Sequence, residues 1–280
     1  MAGSGDPRPI GVFDSGVGGL TVLAELRRRL PDESTLYLGD NARTPYGPRP
    51  AGEVRQFTIE AVDWLLAQDM KLLVLACNTA TARALPDVRA RSSVPVIGVV
   101  RPGAVSAAAA TRSRRVGVIA TAGTVESSAY HDAIVEADPA IAVAQMACPE
   151  LVPMVEAGIL DGRRAETVLR AYLEPLVADH AGMDTLLLGC THYPLLRSAI
   201  EAIVGSDVAV VDSAFTTALA VEDLLDALGS RAPSGSEAEH RVVTTGDVEA
   251  FVTVARRLFG EALPSVESAR IVAAAAVPLD

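Results

Sequence analysis

The chain has 280 residues, half of them hydrophobic, and a formal net charge of −11. That length suits two ordinary domains or one large one, and an acidic balance without a basic patch argues against nucleic acid as the primary partner. No apolar stretch approaches the roughly 20 residues of a membrane helix and residues 1–9 lack the apolar core of a secretory signal, so a cytoplasmic protein with no membrane partner is expected.

Strand-like runs alternate with amphipathic helical runs. The pattern predicts a strand at 10–13, a helix at 20–30, a strand at 35–38 and a helix at 53–67. Strands follow at 72–76, 94–99 and 115–120, then a helix at 124–137, a strand at 140–145 and a helix at 164–178. Strands at 185–188 and 208–211 come next. Residues 231–239 read as a polar linker, followed by a strand at 240–244 and a helix at 248–259. The Ala-rich residues from Pro264 read as a loosely attached tail. The basic runs Arg27-Arg28-Arg29 and Arg112 with Arg114-Arg115 read as solvated helix ends or turns. Strands alternating with helices define the α/β class with parallel sheets, in which ligands bind beyond the carboxyl ends of the strands.

A faint internal repeat runs through this pattern. Gly11-Val-Phe-Asp-Ser-Gly resembles Gly117-Val-Ile-Ala-Thr-Ala, and Leu-Ala-Cys77-Asn-Thr resembles Leu-Gly-Cys190-Thr-His. The offsets, 106 and 113 residues, suggest two similar halves, although ordinary likeness among βα units can give such a pattern. If the halves are real, each contributes one cysteine at a strand end. Three widely spaced cysteines, 77, 148 and 190, do not form a disulfide framework and are expected as free thiols. Cys148 has no matching environment and reads as packing.

Cys77-Asn78-Thr79 places a thiol ahead of a helix N-terminus, a position expected to lower its pKa. Asn78 and Thr79 can donate to a carboxylate or cap the helix. Cys190-Thr191-His192-Tyr193-Pro194 repeats the placement, with Pro194 suited to a first helical turn and His192 able to relay a proton. Asp14-Ser15-Gly16-Val17-Gly18-Gly19 is a Gly-rich turn between strand and helix. It fits a small carboxylate better than a pyrophosphate, because its spacing is not G-x-G-x-x-G. Asp14 and Ser15 can alternatively be simple helix caps. Pro45-Tyr46-Gly47 marks a turn able to close over a ligand. By pattern alone Glu156 is an ordinary helix carboxylate.

Composition also limits cofactors. Lys71 is the only lysine. It opens the strand that ends at Cys77, roughly 17 Å from the carboxyl edge, which argues against a pyridoxal Schiff base there. The four histidines lack metal-site spacing, so no metal is expected.

Together, Phe13-Asp14-Ser15-Gly16-Val-Gly-Gly, Pro45-Tyr46-Gly47, Ala76-Cys77-Asn78-Thr79-Ala80, Gly189-Cys190-Thr191-His192-Tyr193-Pro194 and Thr244-Thr245-Gly246-Asp247 resemble the glutamate racemases of the cofactor-independent aspartate/glutamate racemase family. The resemblance spans residues 10 to about 260. It implies two similar parallel-sheet α/β domains with the active site in the cleft between them. The expected bounds are 1–99 plus 213–263 for the first, 100–212 for the second and 264–280 for the tail. It implies Cys77 and Cys190 as the two acid/base groups, assisted by Asp14, Glu156 and His192. Asp14, Ser15, Tyr46, Gly47, Asn78, Thr79, Thr124, Thr191 and His192 match substrate-holding positions. It further implies glutamate as substrate, no cofactor, a role in supplying D-glutamate for peptidoglycan, and a homodimer. Three other readings stay open: an aspartate or broader-range racemase, a cysteine hydrolase with Cys190 as nucleophile and His192 as base, and a non-catalytic binding protein on the same scaffold.

Overall fold

The computed structural model describes residues 5–260 and 265–271. Its strands form where the sequence offers short, continuous apolar runs. Leu72–Leu75 and Thr185–Gly189 are buried along their whole length, as parallel strands covered on both faces must be.

The chain opens with β1 (Ile10–Asp14), α1 (Leu20–Arg29), β2 (Thr35–Gly39), α2 (Ala51–Leu66), β3 (Leu72–Leu75), α3 (Asn78–Arg91) and β4 (Val96–Gly98). The second half follows with α4 (Val100–Ala110), β5 (Arg115–Ala120), α5 (Ala122–Glu126), α6 (Ala129–Ala137), β6 (Ala142–Ala147), α7 (Leu151–Glu156) and α8 (Gly162–Asp179). It continues through β7 (Thr185–Gly189), a 3-10 helix at Tyr193–Leu196, α9 (Arg197–Val204) and β8 (Ala209–Asp212). The chain then returns through α10 (Ala214–Leu228), β9 (His240–Thr244), α11 (Val248–Phe259) and β10 (Val266–Ser268).

Two sheets result, in the orders β10-β9-β2-β1-β3-β4 and β6-β5-β7-β8. Every pairing is parallel. The block β2-β1-β3-β4 has the topology of β6-β5-β7-β8, and the likeness extends to register. Phe13 lies opposite Leu75 in the first sheet, and Ile119 lies opposite Leu188 in the second. Those four positions are related by the 106- and 113-residue offsets, so the sequence repeat is a repeat of structure.

One apolar cluster runs through both halves, joining Val12, Leu23 and Leu26 to Leu151, Leu169, Leu186 and Tyr193. A second packs α2 and α3 on the first sheet through Leu65, Ala84 and Leu73. A third packs α4 and α6 on the second sheet through Ala104, Ile134 and Val118. Helix α10 touches both α1 and α4 and so bridges the halves.

Three features depart from expectation. The predicted helix at 124–137 is two helices, because Ser128 adopts a left-handed conformation with φ 58°. Ser127 serves the break, donating to Thr124 O at 2.6 Å and accepting from Ala129 N at 3.2 Å, the local bonding by which serine competes with a helix. Val266–Ser268, in the segment expected to be a loose tail, instead adds to the first sheet beside β9; residues 264 and 272–280 of that segment lie outside the described residues. The arginines also do more than meet solvent: Arg29 pairs with Glu222 on α10.

Lys71 ends up at the opposite edge of the sheet from Cys77. Its buried ammonium pairs with the buried Glu33 at 2.5 Å. It also donates to Asp6 O at 2.6 Å and Ser230 O at 2.8 Å. Glu33 in turn accepts from Ala232 N at 2.8 Å.

Candidate active site

The first corner of the site forms where β1 and β3 end side by side. Cys77 is the N-cap of α3, its sulfur accepting from Ala80 N at 3.4 Å. It also lies 3.5 Å from the Ser15 hydroxyl. The expectation of a lowered thiol pKa does not hold in this structure. Burial pushes Cys77 up to about 12, with the nearby Asp14 charge adding to the rise. The bonds from Ser15 and Ala80 oppose this but do not outweigh the loss of solvent.

Asp14 and Ser15 do not cap α1, whose N-cap is Gly19 without a side-chain bond. Asp14 is fully buried and accepts from Gly16 N at 2.9 Å. Burial raises its pKa, while the His192 charge and the N–H groups of Gly16 and Gly19 oppose the rise. The Thr191 hydroxyl reaches Asp14 Oδ1 at 3.5 Å, which links this corner to the other.

The second corner forms at the end of β7. His192 is the N-cap of the 3-10 helix, with Pro194 in its first turn. Its Nδ1 lies 3.9 Å from Cys190 Sγ, and its Nε2 lies 3.1 Å from Glu156 Oε1 at the end of α7. Burial alone would lower the imidazole pKa. The hydrogen bonds to Cys190 and Glu156, with the Asp14 charge, win and raise it to about 10. The site thus favours the protonated form of His192, joined to Cys190 on one side and to the partly exposed Glu156 on the other. Gly18 is obligatory beside this corner. A Cβ there would lie 2.4 Å from Thr191 Oγ1 and 2.5 Å from His192 Nδ1.

Both thiols line one cleft, together with Ser15, Tyr46, Gly47, Asn78, Thr79, Thr191 and His192. Asp14, Glu156 and Thr124 stand behind that wall rather than in it. Thr124 is buried and bonds Thr79 at 3.3 Å and Thr121 at 3.0 Å. Tyr46 donates its hydroxyl to Asp40 at 2.5 Å, and its buried ring packs between Phe13 and Phe57. Asp40 also accepts from Thr245 at 2.6 Å and from Arg43 at 2.7 Å. The Thr244-Thr245-Gly246-Asp247 motif thus serves the site from a distance, since Asp247 itself caps α11 through Ala250 N at 2.7 Å.

Among the lining residues that sequence reasoning missed, two are informative. Thr121 caps α5 and bonds Thr79 across the cleft at 2.8 Å. The 106-residue offset pairs it with Ser15, so the repeat carried its signal. Cys148, read as packing, is fully buried and yet forms part of the cleft wall beside Pro149 and Val152. Burial lifts its thiol to about 12.

The two halves, the cleft and the paired thiols have the form of a racemase. The family model described as Asp/Glu/Hydantoin racemase matches residues 18–222, and the chain belongs to that family of isomerases. Among curated relatives, the glutamate racemase of Oceanobacillus iheyensis is 49% identical over 91% of this chain and 92% of its own. Among solved structures, a glutamate racemase isoform from Bacillus anthracis superposes with a TM-score of 0.88 at 42% identity, covering 95% of this chain and 97% of the other. A glutamate racemase from Francisella tularensis in complex with D-glutamate also has a TM-score of 0.88, at 33% identity, covering 95% of this chain and 98% of the other.

Proposed function

We propose that this protein interconverts L- and D-glutamate without a cofactor, by proton transfer between the substrate α-carbon and two thiols. The observation that carries the reading is that Cys77 and Cys190, from equivalent strand ends of the two halves, line one cleft. Inverting a stereocentre by proton transfer needs a base on one face of the carbon and an acid on the other. One thiol takes the α-proton as thiolate while the other delivers a proton as thiol, and the roles swap with direction.

The α-proton of an amino acid is weakly acidic, so the site must stabilise negative charge as it develops. Preorganised donors in a cleft that excludes water are the available means. Ser15, Asn78, Thr79 and Thr191 supply such donors from both halves. Asp14 and His192 hold and pass protons behind the thiols, and Glu156 steadies His192. Cys77 is the thiol at rest, since burial keeps it protonated. The imidazolium of His192 exchanges a proton with Cys190.

The reaction suits a cytoplasmic supply of D-glutamate for peptidoglycan, and a homodimer is the assembly expected from the family resemblance. The test is proton NMR of the purified protein with L-glutamate, then D-glutamate, in D₂O with nothing added. Loss of the α-proton signal with approach to a racemic mixture is expected from either enantiomer. No exchange from either, with the protein folded, overturns the assignment and turns attention to aspartate.

A further inference from the structure

Asn78 opens α3 and faces the cleft, but its amide is not free to turn. Tyr130, fully buried on α6 of the other half, donates its hydroxyl to Asn78 Oδ1 at 2.5 Å. The other end of the amide, Nδ2, is buried and has no partner among the described residues. An asparagine whose oxygen is taken by a donor turns its N–H₂ group the opposite way. A buried donor left unpaired is costly, and an incoming acceptor relieves that cost.

We propose that Tyr130 is a positioning residue of the racemase, holding the Asn78 amide so that Nδ2 presents its N–H groups to a substrate carboxylate in the cleft. This rests on the reading of the cleft as a glutamate site.

The phenol is itself fixed by backbone on two sides. A Cβ on Gly189 would lie 2.9 Å from Tyr130 Cε2, and one on Gly103 would lie 3.1 Å from its hydroxyl oxygen. Gly189 immediately precedes Cys190, so the same strand end that delivers the second thiol also sets the ring. Burial raises the phenol pKa well above its ordinary value, which keeps the hydroxyl a donor across the working range. Because Tyr130 and Asn78 belong to different halves, the donor is aimed only when the two halves meet as they do here. Substrate recognition in the first half thereby depends on a residue of the second.

Steady-state kinetics with both enantiomers on the wild type, Tyr130→Phe, Asn78→Ala and the double variant test this, with thermal unfolding recorded for each. Tyr130→Phe keeps the ring in its cage and removes only the hydroxyl. The expected result is a KM raised about tenfold, as for loss of one oriented buried hydrogen bond, with a smaller change in kcat. The double variant should be no worse than Asn78→Ala, because the tyrosine acts through the asparagine. A KM within twofold of wild type, or a Tyr130→Phe effect that adds in full to Asn78→Ala, overturns the proposal. If Tyr130→Phe does not fold, Asn78→Asp decides. It still accepts from Tyr130 but offers the substrate an oxygen, so KM should rise at least as far as in Asn78→Ala, and an unchanged KM overturns the proposal. A wild type that racemises glutamate while these variants match it sinks the positioning role alone. A wild type with no exchange sinks the glutamate reading and the role with it.

Discussion

Cys77 and Cys190 leave their strands at equivalent positions, and the residues that follow them differ in kind. After Cys77 the chain enters a regular helix directly, and the sulfur itself serves as the cap. After Cys190 it first makes Thr191 and His192, and only then a short 3-10 helix. The first thiol takes its hydrogen bonds from neutral groups, Ser15 and Ala80, and burial, with the nearby Asp14 charge, pushes its pKa up. The second has an imidazole beside it whose pKa is raised by its hydrogen bonds to Cys190 and Glu156. The duplicated scaffold thus sets where each sulfur goes, while the few residues after the strand set how its proton is managed. On the two-thiol reading proposed above, a site that runs in both directions needs matched positions. It does not need matched surroundings.

The sharpest way to break this comparison is to remove either sulfur. Cys77→Ala and Cys190→Ala should each lower racemisation by on the order of 10³-fold, read as the rate of circular-dichroism change from either enantiomer. Retained turnover in Cys77→Ala would make the first corner dispensable and favour a hydrolase-like use of Cys190.

His192→Asn tests the asymmetry itself. Turnover should fall roughly 10²-fold, with no comparable device to lose in the Cys77 corner. The variant should also change the pH dependence of stability. The pKa of His192 is raised from 6.5 to about 10 in the folded protein. Its stabilising contribution is therefore complete below pH 6.5 and lost as pH rises through about 10. Cys77 titrates from 9.0 in the unfolded chain to about 12 in the folded one, so it affects stability only above pH 9. Urea unfolding between pH 6.5 and 9 should show a decline in the wild type that His192→Asn flattens. Equal slopes would show that the histidine is not held charged.

Gly18→Ala sharpens the contrast by displacing only the second corner. Its Cβ would collide with Thr191 and His192, and a shift of about 1 Å at the reacting groups can cost up to about 10²-fold in rate. A tenfold or greater loss in kcat is expected, with Cys77 alkylated by iodoacetamide at the wild-type rate; a matching change at Cys77 would mean that the corners do not move independently. The smallest effect belongs to Thr121→Val, which removes the bond to Thr79 across the cleft. A loss of about 1 kcal/mol in stability, measured by urea titration, should accompany a modest rise in KM. An unchanged midpoint would show that the threonine contact does not tie the halves.

Much of this was legible in the sequence because α/β units announce themselves locally. Apolar runs place the strands, and a polar residue at the end of each run is a residue at the ligand edge, so Ser15, Cys77, Asn78 and Cys190 could be placed from pattern. Contacts between elements distant in the chain were not legible. Glu156 looks like any helix carboxylate until α7 is packed on the 3-10 helix, where it meets His192. Tyr130 lies within the predicted helix at 124–137, and nothing local shows that its hydroxyl crosses to Asn78. The thiol pKa of Cys77 was misjudged for a related reason. A helix N-terminus is visible in sequence, but the depth of burial that overrides it is a property of the assembled cleft.

The lone lysine carries a practical consequence. Lys71 is 4% exposed and its ammonium is tied to Glu33, Asp6 and Ser230 at the far end of the first sheet. Acylating reagents and amine-coupled surfaces therefore find no accessible lysine on the folded protein. Covalent labelling of Lys71 becomes a clock for the opening of that end of the sheet, legible in a single tagged peptide by mass spectrometry.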